Sequence, residues 1–382
     1  MTHSSEAEAA VVIGATQPAR IARLGRSALW LAGFGVLIAL AGFFMDRAEL
    51  WRAYLFAWLF CLEIGLGGLG LVLLHHLAGG RWSKAARPIA LAAAQTLPWL
   101  GLLFLPLLTA LPTLYPWADS GQMAASQLLQ SKSLWLNTPF LIGRSIVYLG
   151  VWSGLAYGLG RLTAEDVGRG QASLGMILYV LTTTFAAFDW MMSLEPAWFS
   201  SIYGLLFLAG QAVAGISLVI LGLAAPLPQR EGRGWGEAVQ SFNDLGNLLL
   251  ASVMIWAYFA FSQYLIIWSA NIPEEAVWYI HRSGGGWQWV ALGLIGLHFV
   301  LPFALLLSRG VKRNPRVLAW LAVLLLLARA VDLYWLLVPA FHPEGVYFHW
   351  LYPLLLAGML GGWVALFLRQ WSGVRLFGSR NS

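Results

Sequence analysis

Residues 53–76 read AYLFAWLFCLEIGLGGLGLVLLHH. A single acid, Glu63, interrupts the apolar and glycine residues before the two closing histidines. About 20 apolar residues, each rising about 1.5 Å in a helix, cross a hydrocarbon core of roughly 30 Å, so this stretch can span a bilayer. It is not alone. Comparable runs lie near 27–45, 89–108, 138–160, 172–193, 202–224, 246–269, 287–308, 317–338 and 348–369. Hydrophobic residues make up 59% of the 382-residue chain and charged residues only 10%. A soluble domain cannot cover so much apolar surface with so few charges. The expected fold class is all-α, a polytopic membrane protein of ten transmembrane helices. A tail over 1–26 precedes a helical domain over 27–371, and 372–382 form a second tail. Residues 1–16 are small, polar and aperiodic, and are expected to be disordered.

The basic residues give this frame a direction. Arg20, Arg23 and Arg26 precede span one. The connections after spans two, four, six and eight carry Arg81, Lys84 and Arg87; Arg161 and Arg169; Arg230 and Arg233; and Arg309, Lys312, Arg313 and Arg316. Arg369, Arg375 and Arg380 follow span ten, which puts seventeen basic residues on one side. The other side has only Arg47, Arg52, Lys132 and Arg282, while Arg144 and Arg329 fall inside spans. The positive-inside rule then places both termini in the cytoplasm. The formal charge of +6 is a topology signal that needs no nucleic acid to explain it. Arg20 to Arg26 followed by an apolar run imitates a signal peptide, but the run continues through Phe44 and reads as a membrane helix.

Cysteine and histidine usage limits the redox chemistry. Cys61 is the only cysteine, so iron–sulfur clusters and covalent haem lack their ligands, and Cys61 reads as an apolar filler. Of the seven histidines only His298 lies near mid-bilayer, with His75 and His76 at one end and His281, His342 and His349 at the other. A bis-histidine haem is not expected. Electron carriers belong to partners, or the substrate is a diffusible quinone.

An ionisable group at bilayer depth costs about 2.5–3.5 kcal/mol on insertion scales, so each one retained calls for a partner or a task. Glu63 sits about ten residues into span two beside Gly65, Gly67, Gly68 and Gly70, which permit close helix approach. It is either a proton carrier or a neutral acid bonded across a helix interface. Arg144 and Tyr148 share span four, and Asp189 lies near the outer end of span five. Arg329 and Asp332, three apart on span nine, share a face. By depth, Arg144, Asp189, Arg329 and Asp332 are expected to form one charge-balanced cluster, either a structural ion-pair network or a quinone-head or proton site. His298 is either an interhelical hydrogen bonder or a relay. Asp244 with Asn243 and Asn247 opens span seven, where it either favours the positive helix end or starts a proton ladder through Glu63 and His298.

The remaining features are architectural. Trp51, Trp82, Trp117, Trp135, Trp198, Trp268, Trp287 and Trp371 read as an interfacial belt. Pro98, Pro106, Pro302 and Pro353 are expected to kink or end helices. The outer connection 109–137 has an amphipathic helical pattern from Ala118 to Leu136, and Gly284 to Gly286 read as a hinge or turn. Nucleotide-binding loops, nucleophile elbows and zinc or calcium motifs are absent from the sequence.

Three segments carry a family resemblance. They are Phe188-Asp189-Trp190-Met191-Met192-Ser193-Leu194-Glu195-Pro196-Ala197-Trp198-Phe199-Ser200-Ser201-Ile202-Tyr203-Gly204; Phe261 to Trp268 with Asn271-Ile272-Pro273-Glu274-Glu275; and Asp332-Leu333-Tyr334-Trp335 followed by Pro339 and Phe341-His342-Pro343. Together they resemble the ActF family, the second NrfD-like (polysulfide-reductase-type) membrane subunit of alternative complex III, a bacterial quinol:cytochrome c oxidoreductase. The resemblance covers about 27–371. It implies ten helices with both termini inside, eight of them in two four-helix bundles with two flanking helices. It implies a multi-pass subunit of the bacterial cytoplasmic membrane beside a sister NrfD-like subunit, an iron–sulfur subunit and haem c subunits. Quinone or menaquinone chemistry at the outer face and proton movement through polar ladders are implied as well. Asp189 and Asp332 lie inside the matched segments.

The expected function is therefore that of an integral subunit of a quinol-oxidising complex that conducts or pumps protons. Glu63, Asp189, His298 and Asp244 form the expected path, with Arg144, Tyr148, Arg329 and Asp332 as polar cluster or quinone site. The rivals are a stand-alone secondary transporter and a purely structural anchor.

Overall fold

The computed structural model describes residues 18–162, 167–225 and 235–378. Residues 1–16 lie outside the described residues, as do Arg230, Arg233 and Arg380. Among the described residues every regular element is a helix. Ten helices are long and apolar enough to cross a membrane: Ile21–Met45, Arg47–Ala78, Trp82–Leu108, Thr138–Arg161, Arg169–Leu194, Tyr203–Ala224, Val239–Ala270, Trp287–Leu307, Pro315–Ala340 and Leu351–Ser372. This is the architecture of a multi-pass membrane protein, and these helices are numbered below as spans one to ten.

Short polar signals start several spans. The Asp46 side chain accepts from Glu49 N (3.0 Å) ahead of span two. Asn137 accepts from Phe140 N (2.9 Å), with Pro139 in the first turn of span four. Asn314 caps span nine, which opens on Pro315. Each cap satisfies an amide that the helix itself leaves unpaired.

Spans two to five pack on one another, and spans six to nine form a second group. Spans one and ten pair with each other and lie against spans two and three. Span two is the centre, with 89% of its apolar window buried, and it touches both groups. Lipid tails are as apolar as leucine, so close backbone approach rather than exclusion of water holds such helices together. Spans two and six show this where Gly67 meets Gly215 backbone to backbone.

The connections gather at two ends. Lys132 Nζ donates to the Pro196 carbonyl (2.6 Å), His281 meets Glu195, and Trp287 Nε1 donates to the His342 carbonyl (3.2 Å). At the opposite end Arg87 donates to the Leu162 carbonyl (3.1 Å) and Lys312 Nζ to Asn247 Oδ1 (2.7 Å). Arg87 and Lys312, at the ends of two of the basic connections, thus lie toward this end of the molecule.

Several expectations change in detail. The first helix starts at Pro18, inside the expected 1–26 tail, and the last continues to Gly378, inside the 372–382 tail. No proline separates these flanks from the spans, and the helices run on through Gly25 and Gly373. The amphipathic helix expected over 118–136 is broken into Pro116–Ala118, Ser120–Ala125 and Gln127–Ser131, because Asp119 and Ser126 each start a new turn by capping. Span three breaks at Gln95 and Thr96, where Thr96 Oγ1 donates to the Ala93 carbonyl (2.7 Å) and accepts from Trp363 Nε1 (2.9 Å). Pro98 opens its second half. Span eight carries a π-helical turn over Ile295–Val300, with Pro302 in the turn after it. Gly285 and Gly286 take positive φ (57° and 96°), a turn that returns a hydrogen bond from Val346 N (2.9 Å). Of the expected interfacial tryptophans, Trp117, Trp198, Trp287 and Trp371 are buried in packing between elements instead.

Candidate functional site

The charges expected in one outer cluster form two separate centres. Span four packs on spans two, three and five, whereas span nine packs on spans two, six, seven and eight. Residues at one depth on helices that do not adjoin cannot meet, and depth was the only coordinate the sequence supplied.

The first centre is Arg144 with Asp189. Arg144 Nε donates to Asp189 Oδ2 (2.7 Å) and Nη2 to Oδ1 (2.9 Å), a two-pronged pair. Tyr148 donates to Oδ2 (2.8 Å) and Trp135 Nε1 to Oδ1 (3.0 Å), so four donors saturate the carboxylate. Arg144 Nη1 donates to the Trp135 carbonyl (3.1 Å), and its guanidinium lies 4.2 Å from the centres of both the Trp135 and Phe140 rings. Trp135, expected only in an interfacial belt, is thus a ligand of this ion pair. An open cleft of about 290 Å³ lies over it, lined by Trp135, Phe140, Gly143, Arg144, Val147, Tyr148 and Phe185. The polar groups beneath the cleft are already committed to one another.

The second centre joins Glu63, Arg329 and Asp332, all buried. Arg329 Nε donates to Glu63 Oε1 (2.8 Å), while Nη2 lies 2.6 Å from the same oxygen in a poor direction for a hydrogen bond. Nη1 bonds Asp332 Oδ2. Trp256 Nε1 donates to that oxygen as well (2.9 Å). The guanidinium occupies room left by Gly210 of span six. Glu63, read from sequence apart from the outer cluster, is therefore the partner of Arg329.

This centre is not saturated. Among the described residues Glu63 Oε2 has no hydrogen-bond partner. His298 is fully buried on the π-helical turn, 4.0 Å from the Trp256 ring centre to centre, and neither of its nitrogens has a partner among the described residues. His298 is thus not the satisfied interhelical bonder of one reading. Nearby on spans five and six, Tyr179 donates to Gln211 Oε1 (2.6 Å), while Gln211 Nε2, Thr183 Oγ1 and Ser217 Oγ have no partner among the described residues. A buried polar group left unpaired costs about 1–3 kcal/mol, so such a concentration marks a place where water is bound or protons move.

Asp244 stands apart. Its helix begins at Trp235, so Asp244 lies well inside it rather than at its positive end. It is half-buried and accepts from Gln240 Nε2 (3.0 Å).

Sequence reasoning missed other residues here. Trp256 and Tyr179 carry no signal beyond their apolar surroundings. Glu49 is 3% exposed and binds Arg52, His342 Nε2 (2.9 Å) and the Tyr352 hydroxyl (3.1 Å). The one-turn spacing of Glu49 and Arg52 was its only hint. Lys132, on a connection, is held below the usual lysine range by burial. Among the described residues no group of three or more His, Cys, Asp or Glu is placed to hold a metal ion. No known protein-family model matches the chain, and no curated protein matches it either.

Proposed function

We propose that this chain is an integral subunit of a quinol:cytochrome c oxidoreductase of the alternative complex III type, in the bacterial cytoplasmic membrane, and that it conducts protons through Glu63, Arg329 and Asp332. The observation that carries the proton reading is charge balance. Two carboxylates face one guanidinium in a fully buried place, and binding one proton brings the set to neutrality. His298 and the unpartnered Glu63 Oε2 supply acceptors beside it.

The sequence resemblance supports the complex. The packing of spans two to five and six to nine, with one and ten alongside, fits its two four-helix bundles with flanking helices. The basic connections at one end support cytoplasmic termini. In this reading haem c and iron–sulfur clusters belong to partner subunits, beside a sister NrfD-like subunit. Arg144, Tyr148 and Asp189 are fully engaged, so a quinone or menaquinone head finds few free donors here, and we assign quinol oxidation to the sister. Asp189 then anchors spans four and five rather than carrying protons, and Asp244 stands at the cytoplasmic end without a bonded link to the centre.

The test is to tag the chain, extract it in mild detergent and record a reduced-minus-oxidised spectrum. Stoichiometric haem c with iron–sulfur subunits is the expected result. A colourless single chain under the gentlest extraction contradicts the proposal and favours a stand-alone transporter, for which the break at Gln95 and Thr96 in span three is the feature to pursue.

A further inference from the structure

A third buried charge set lies between the second centre and the end of the molecule opposite the basic connections. Arg282 is 2% exposed, and its Nη2 donates to Glu195 Oε2 (2.7 Å) and to the Leu336 carbonyl (2.9 Å). Its Nε donates to the Trp335 carbonyl (3.2 Å) and Nη1 to the Trp278 carbonyl (2.9 Å). Glu195 Oε1 lies 3.2 Å from His281 Nδ1, and the His281 side chain is 35% exposed. His281 thus opens the set to solvent, while Arg282 closes its inner side.

Two observations connect this set inward. The first is the line of span six. Tyr203, Gly210 and Ser217 recur every seven residues and so lie on one helix face. Gly210 is where the Arg329 guanidinium rests, so that face looks onto the second centre. Tyr203, 2% exposed, sits on it at the outer end against Trp198 (5.6 Å) and Trp278 (6.5 Å), the tryptophans beside Glu195 and Arg282. The charges of Arg282, Glu195, Asp332 and Arg329 all act on its hydroxyl. The second is a pair of unpartnered indoles. Trp335 follows Asp332 by one turn and gives its carbonyl to Arg282, yet its buried Nε1 has no partner among the described residues. Trp198 is 4% exposed and stacked on Trp278 (4.7 Å), and its Nε1 likewise has no partner among the described residues. Buried donors of this kind are normally held by ordered water, which also relays protons.

We propose that the Glu63–Arg329–Asp332 centre exchanges its proton with the non-basic side of the membrane through Tyr203, with Glu195 and His281 as the surface port. This rests on the proton reading above and adds the side of access and the residues of the route. In the inward direction protonated His281 gives an N–H proton to water at the Trp198 and Trp335 indoles and takes another from solvent, so the ring ends as it began. That water gives a proton to the Tyr203 oxygen as the phenol releases its own O–H proton inward, and a new O–H bond forms on an Asp332 or Glu63 oxygen. One proton moves, and Tyr203 ends as it began.

The test uses the assembled complex in proteoliposomes, with a soluble quinol as donor, cytochrome c as acceptor and a pH-sensitive dye following protons on the side of His281. Tyr203→Phe keeps the ring packing and removes the relay oxygen, and it should slow proton exchange by about tenfold or more. Tyr203→His, which restores a protonatable group, should recover part of the loss, which a purely packing role does not explain. Glu63→Gln is the control for the centre itself. If Glu63→Gln impairs coupling and Tyr203→Phe does not, the route is overturned while the centre stands. If neither impairs coupling in assembled complex, both are overturned.

Discussion

Gly210 of span six and Arg329 of span nine are locked together: a Cβ added at 210 would lie 2.4 Å from the guanidinium carbon. The glycine is the socket of the buried cation. Gly210→Ala must displace Arg329 or part the two spans. Overpacking of this kind costs about 1–3 kcal/mol, and a displaced guanidinium adds an unpaired buried charge. A lowered melting temperature of the detergent-solubilised protein is expected, larger than for Gly143→Ala, which meets open space.

The Arg144–Asp189 pair should behave as a structural bond. Arg144→Leu or Asp189→Leu alone leaves one buried charge unpaired, at a cost of about 3–5 kcal/mol. The double variant removes both charges and should be more stable than either single one. Thermal unfolding of the four proteins checks this, and additive losses would refute the pairing.

Trp256 links Asp332 to His298. Trp256→Phe keeps a ring over His298 and deletes only the hydrogen bond to Asp332, and bonds to charged groups contribute about 1.5–3 kcal/mol. The expected outcome is altered proton coupling with normal assembly. Loss of assembly in proportion to the loss of coupling would make Trp256 a packing residue.

Glu49 holds the connection between spans nine and ten through His342 and Tyr352. Glu49→Ala should free the segment 341–350, and limited proteolysis at that segment should quicken while the rest of the chain stays protected.

The spans were legible because length and apolarity alone decide whether a helix can cross a bilayer. Each of the ten matches its sequence-based range with no end shifted by more than seven residues. The sites were half legible. Arg329 and Asp332 were paired from their spacing of three, which fixes a shared face. Glu63 could not be joined to Arg329, 266 positions away, because a helix-period pattern says nothing about which neighbour a face meets. Trp135 and Trp256 were hidden for another reason. A tryptophan that donates to a buried carboxylate reads in sequence like one at the membrane surface. The break at Gln95 and Thr96 was legible from Pro98, which sits in the first turn of the second half of span three and ends the helix before it.

The most direct measurement is proton movement per quinol oxidised in complex carrying Glu63→Gln. The substitution keeps shape and hydrogen bonding to Arg329 but cannot bind and release a proton. The account predicts an assembled complex with its full haem content and lost or strongly reduced proton coupling. Unchanged coupling in that complex would contradict it.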